Sequence, residues 1–419
     1  MTLRFHPILA FTTLVLASAG TLHAQLPAAS PSRVGFDVSR LEVTRATVKR
    51  FVDEAKHAGI ITLLARDGKI ADVQAFGYRD LEQKLPMQRD TICRVYSMSK
   101  IITSVGVLIL LEEGRISLDD PITNYLPELK GLQVSAGGTS ESPKLVAPKR
   151  PITIKHLLTH TSGLVYDFDA NDPLQGSYKR ADLWSGPSLN EFIGKVGKLA
   201  LKHHPGDQYS YGINTDVLGA LIERVSGLSF GTFLEKRIFT PLGMKDTGFD
   251  VPIEKRGRLA KTYQNKPGGG FEEAEPILST LPEPGRGIES GGAGIFSTVD
   301  DYARFAQMLC NGGTLEGHRI LGRKTVELMT ANHLTLLPDS AQISTREKGF
   351  GLGVEVSLDP GRGAVPTSPG QFGWYGAATT YCQIDPHEKL VAIAFAQHLP
   401  FNQHGFFAKW ATAYYQALK

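Results

Sequence analysis

Ser97-Met98-Ser99-Lys100 is the only Ser-x-x-Lys in the chain, and it opens a stretch with strongly helical spacing. Residues three apart share a helix face, so the Ser97 hydroxyl and the Lys100 ammonium can meet within hydrogen-bond reach. A serine hydroxyl is a poor nucleophile until something takes its proton, and a lysine whose charge is disfavoured by burial or by another cation can do so. The helix start adds positive potential where an alkoxide or oxyanion would form. The pattern therefore offers nucleophilic attack through a covalent intermediate. The tetrapeptide alone reads equally as a solvated helix start, so its meaning depends on the elements around it.

Those elements are legible at both ends of the chain. Leu41 to His57 has helical periodicity, and the runs 60–65 and 72–78 flank the turn Arg66-Asp67-Gly68-Lys69 as a β-hairpin. Further strands are expected at 350–356, over 372–384 and at 390–397, ahead of a closing amphipathic helix that reaches Leu418. Strands from both ends pair most simply in one antiparallel sheet covered by the first and last helices. Between them, 101–113, 154–158, 216–225, 230–239 and 299–309 read as helices, and 136–150 and 264–288 as polar, Pro/Gly-rich connections. The fold class is α/β (α+β): an antiparallel sheet flanked by N- and C-terminal helices, with a mostly helical insert. Residues 33–115 and 290–415 would form the sheet subdomain and 116–289 the helical one.

Composition excludes several classes. Forty-five Lys+Arg against 42 Asp+Glu leave a formal charge of +3 with no dense basic block, so neither nucleic acid nor anionic lipid is implied as a partner. Residues 1–24 read as a secretory signal: Arg4 supplies the positive end, 7–17 the apolar middle, and Ala17-Ser18-Ala19 or Leu22-His23-Ala24 the small-residue cleavage site. Export to a secreted or periplasmic location is expected, with no integral membrane segment after its removal. Cys93, Cys310 and Cys382 are too few and odd in number for a disulfide framework and read as buried small residues. His156 and His160 are spaced i, i+4 but lack the intervening glutamate of a zinc protease, and His203-His204 reads as an exposed loop. No metal and no cofactor are expected.

The segment Thr91 to Thr103 resembles the nucleophile region of the serine β-lactamase and penicillin-binding protein superfamily, near its class C and family VIII carboxylesterase branches. Three more segments agree in order: 152–164, reading ITIKHLLTHTSGL; Tyr211 with Thr215-Asp216-Val217-Leu218-Gly219; and 291–298, reading GGAGIFST. The resemblance implies a β-lactamase/transpeptidase-like fold and a serine hydrolase of small carboxylic esters. The other readings are a β-lactamase or D,D-peptidase acting on a lactam or peptide, an acyltransferase, or a catalytically silent ligand-binding protein of the same fold. It assigns catalysis to Ser97, Lys100 and Tyr211, with Tyr209 as a packing residue, and the oxyanion hole to the backbone N–H groups of Ser97 and Ala377. A phenol near a lysine has its pKa lowered and can take the serine proton. Two departures matter. Ile213 stands where the family's Tyr-x-Asn motif has its asparagine, and Trp374-Tyr375-Gly376 stands where the family has Lys-Thr-Gly. These residues are expected to bind substrate and to make the site more apolar, and any cation for a carboxylate would have to come from an arginine such as Arg286 or Arg346.

Overall fold

The computed structural model describes residues 25–139, 142–168, 173–275, 287–338 and 347–419. The expected signal at 1–24 and both Arg286 and Arg346 lie outside them. Eight strands form one antiparallel sheet: β1 (Gly59–Arg66), β2 (Lys69–Asp80), β3 (Leu85–Pro86), β4 (Lys348–Phe350), β5 (Glu355–Ser357), β6 (Phe372–Gly376), β7 (Thr380–Asp385) and β8 (Leu390–Phe395). Their order is β4-β5-β6-β7-β8-β1-β2-β3. The two ends of the chain meet at its centre, where β1 pairs with β8 from Ile61↔Phe395 to Arg66↔Leu390.

Seven of the eight residues of β1 are buried because both faces of the sheet are covered. Ile60 and Leu64 point to one layer, with Phe36, Leu41, Phe51, Trp410 and Tyr414, where α1 (Val38–Asp53) packs against the closing helix Phe406–Tyr415. Ile61, Leu63 and Ala65 point to the other, continuous with the helical region. There α2 (Ser99–Glu112) is apolar on every side and buried along nearly its whole length, as a helix hydrophobic all round must be. It packs against α3 (Asn214–Ser226), and the helix Val299–Cys310 packs on β8, β1 and β7. Among the described residues, no single helix is long and apolar enough to cross a membrane.

Two sequence expectations differ from the structure. The single strand expected at 350–356 is broken into β4 and β5, because Gly351 N–H bonds Val354 O in a turn and Gly353 takes φ +85°. A Cβ on Gly353 would fall 1.9 Å from Ser104 Oγ, so this turn seats the sheet edge directly on α2. The connection expected over 136–150 contains a hairpin, Gln133–Gly138 with Pro143–Val146, whose exposed, Gly-rich strands have no apolar alternation to betray them.

Candidate active site

Ser97 lies in a 3₁₀ turn, Tyr96–Met98, immediately before α2, and not in the helix itself. Tyr96 precedes it with φ +46°, a conformation that costs a bulky residue about 1–3 kcal/mol. Burial of its ring with Ala274, Ala378 and Leu399 holds it there. Tyr302 adds a hydrogen bond from its hydroxyl to Met98 O at 2.9 Å. The turn leaves Ser97 partly exposed while Ser99 and Lys100 are sealed.

Lys100 Nζ donates to Ser97 Oγ at 3.3 Å, to Tyr166 Oη at 3.0 Å and to Gly292 O at 2.8 Å. It also sits 4.7 Å from the centre of the Tyr211 ring. An ammonium has three N–H groups, and here each meets an acceptor. Sequence reasoning paired Lys100 with Tyr211, but the phenol oxygen that it touches belongs to Tyr166. The signal for Tyr166 was present, since it stands two residues beyond the ITIKHLLTHTSGL segment, whose repeated hydroxyls and histidines read as scaffold. Burial, then the Asp216 carboxylate, push the Tyr166 phenol well above its ordinary value.

Tyr211 Oη instead accepts the Trp374 indole N–H at 3.3 Å. The two rings lie 5.5 Å apart, and Phe350 packs edge-on to Trp374. Tyr209 packs on Phe350 and His160. Trp374 therefore does reach the site, but its one polar atom is already engaged by the phenol. Tyr375, next along β6, points to the opposite face of the sheet, where it stacks on Phe407 and donates to Glu355 Oε1, so its side chain is not part of this site. Gly376 is required by a close approach: a Cβ there would fall 2.3 Å from Val95 O. The approach brings the end of β6, with Ala377 beside the Tyr96 cluster, against the nucleophile turn.

Ile213 is 1 % exposed and packs in the core, so it lines no substrate surface. Asn214, one residue later, is tied inward as well. Its Nδ2 lies 2.8 Å from His160 Nδ1, and its Oδ1 accepts from Ser162 Oγ. His160 is held neutral by burial and by the Lys100 charge. His156 Nδ1 accepts the Thr153 N–H in a capping box on a helix that ends at Leu158, so His156 and His160 share no helical face. His203 is buried rather than exposed, with Nε2 3.0 Å from Ser210 Oγ. Among the described residues, no group of three or more His, Cys, Asp or Glu is arranged to hold a metal ion.

The Beta-lactamase family model matches residues 44–417. The chain belongs to the Beta-lactamase family. It is 32 % identical over 371 residues to "Protein Rv1367c" of Mycobacterium tuberculosis (86 % of this chain, 90 % of the relative). It is 30 % identical over 356 residues to "Esterase EstB" of Burkholderia gladioli (77 % and 81 %). The solved structure described as "EstCE1, a hydrolase with promiscuous acyltransferase activity" superposes with a TM-score of 0.77 at 28 % identity, over 90 % of this chain and 98 % of that one. With esterases and acyl-transferring hydrolases as relatives, this family member is a hydrolase or acyl-transfer enzyme of the serine type.

Proposed function

We propose that the protein is an exported carboxylesterase that hydrolyses small esters through an acyl group on Ser97. The observation that carries the reading is Lys100 Nζ bonded at once to Ser97 Oγ and to a tyrosine oxygen, at the exposed end of a buried cation site. Ser97 Oγ attacks the ester carbonyl carbon, and its proton passes to Tyr211 Oη. Lys100 Nζ lies 4.7 Å from the centre of that ring, and the phenol oxygen accepts the Trp374 N–H. The carbonyl oxygen, now an oxyanion, is met by the Ser97 and Ala377 N–H groups. Tyr211 returns the proton to the departing alcohol, water repeats the sequence on the acyl-enzyme, and the acid leaves.

Esters are favoured over lactams because the two polar anchors of penicillin recognition are missing. Trp374 replaces the strand lysine and spends its N–H on Tyr211, Ile213 is in the core, and Asn214 is bound to His160. A second reading, transfer of the acyl group to an alcohol in place of water, is favoured by the acyltransferase activity named for EstCE1 and by Phe168. That ring is 72 % exposed and stacks on Tyr166, where it offers an apolar platform for an acceptor.

The test is covalent labelling. A fluorophosphonate probe should modify Ser97 and no other residue, and nitrophenyl butyrate should be turned over with a burst of nitrophenol. Labelling at another serine would overturn the reading. Export is checked separately: the mature protein should begin near Gly20 or Gln25, and a chain that keeps Met1 after fractionation would contradict it.

A further inference from the structure

Asp216 lies behind Lys100, seen from Ser97, and its chemistry is unaccounted for by the steps above. It sits in the first turn of α3 and is 0 % exposed. Its Oδ1 accepts from Ser290 Oγ at 2.5 Å and from Gly292 N–H at 3.0 Å. Its Oδ2 is buried without a hydrogen-bond partner among the described residues. The same residue, Gly292, supplies through its carbonyl oxygen, one peptide unit further on, an acceptor for Lys100. Gly292 has no side chain, and a Cβ there would fall 2.5 Å from Asp216 Oδ2 and 2.8 Å from Tyr166 Oη. The bare carboxylate oxygen and the tyrosine oxygen bonded to Lys100 thus converge on one spot that only glycine leaves open.

We propose that Asp216 is a positioning residue: its buried carboxylate is the counter-ion of Lys100, and it holds in place Gly292, whose carbonyl oxygen accepts from Lys100. The role rests on the acyl-enzyme reading of Ser97. A carboxylate cannot stay charged in such a site without a cation near it, and a buried ammonium needs the same in return. Burial alone raises the Asp216 carboxyl, and the Lys100 charge pulls it back. Tyr166, pushed upward by burial and by the Asp216 charge, remains a neutral phenol that accepts from Lys100. Lys100 is thereby removed from the list of bases, which leaves Tyr211 to take the Ser97 proton. The other titratable groups facing this pair are Tyr211, whose ring centre lies 4.7 Å from Lys100 Nζ, His160, held neutral, and Asp167, which acts on Tyr166 from the exposed side.

The experiment is the pH dependence of fluorophosphonate labelling at Ser97, which needs neither turnover nor a known substrate. The readout is the position of the alkaline limb of the labelling rate. In Asp216→Asn, without the counter-ion, that limb should move to lower pH by about one unit or more. KM for nitrophenyl butyrate should change less than about twofold, because Asp216 touches no substrate. Tyr166→Phe removes one acceptor from Lys100 and should move the limb the same way by a smaller amount. Glu223→Gln, a carboxylate of the same helix that bonds Phe230 N–H, should leave the limb in place.

A limb unmoved in a folded Asp216→Asn, with Ser97 still labelled, overturns this role and leaves the acyl-enzyme reading intact. No labelling of Ser97 in the wild type overturns both. Should Asp216→Asn fail to fold by circular dichroism, Tyr166→Phe decides, and an unmoved limb there overturns the role.

Discussion

Two buried clusters of titratable side chains handle charge in opposite ways. Around Lys100, all three N–H groups find oxygens, two aromatic faces lie within about 5 Å, and a carboxylate stands behind. Around His57, the rings of His398 and His404 approach to 4.8 and 5.8 Å, yet both nitrogens of His57 and Nδ1 of His398 have no partner. Burial then drives the histidines neutral, His57 to about 2 and His398 to about 4. The same degree of burial leaves one nitrogen surrounded by oxygens and the others without them. What differs is the supply of acceptors, and that difference separates a site built to hold charge from one that only tolerates polar atoms.

The largest effects should come from breaking the first cluster. Ser97→Ala should lower ester hydrolysis by about 10⁴ or more, read as kcat/KM for nitrophenyl butyrate. Lys100→Met and Tyr211→Phe should each cost about 10² or more in the rate of acyl-enzyme formation. Their double variant should lose no more than the worse single one, because both serve one proton. Tyr166→Phe should cost less, about tenfold, if the phenol only steadies Lys100. A larger loss in Tyr166→Phe than in Tyr211→Phe would exchange the two assignments.

Specificity gives a comparison of similar size. The kcat/KM for nitrophenyl butyrate should exceed that for a chromogenic cephalosporin by at least about 10², equivalent to roughly 2.7 kcal/mol of differential transition-state binding. Cephalosporin turnover equal to ester turnover would refute the apolar reading of the pocket. Trp374→Lys should narrow the gap, and because it also removes the N–H bonded to Tyr211 it should slow ester cleavage at the same time.

The hairpin of β1 and β2, the central helix α2 and the two outer helices were legible because their periodicity reflects burial on a known number of faces. Residues 133–146 were not, since an exposed Gly-rich hairpin carries no such pattern. In the site, Ser97 and Lys100 could be read from spacing because one short segment sets their geometry. Tyr166 and Asp216 stood beside or within motif segments, but their roles could not be read there, since the contacts that define them run across 66 and 76 residues, from Tyr166 to Lys100 and from Asp216 to Gly292. Tyr375 and Ile213 were assigned to the substrate surface by their positions in the Lys-Thr-Gly and Tyr-x-Asn registers. Strand alternation turns the first away, and the turn into α3 buries the second.

The smallest effect concerns the second cluster and touches stability, not turnover. A histidine with an unfolded pKa near 6.5 and a folded value of about 2 carries no proton in either state well above pH 7. As pH falls below about 6.5 the unfolded chain takes up a proton that the folded His57 refuses, so stability is lost with falling pH, by about 1.4 kcal/mol per unit. Between pH 7 and pH 5 this amounts to about 2 kcal/mol from His57 alone. The groups around it, His398, His404 and Lys56, all oppose its protonation. His57→Phe keeps a ring stacked on Phe51 and removes the titration. The variant should be as active as wild type at pH 7, and its urea midpoint should fall less between pH 7 and pH 5, by an amount that corresponds to about 2 kcal/mol. Equal acid sensitivity in the two proteins would mean that the His57 nitrogens meet partners in solution, and that this cluster, like the one around Lys100, can hold charge.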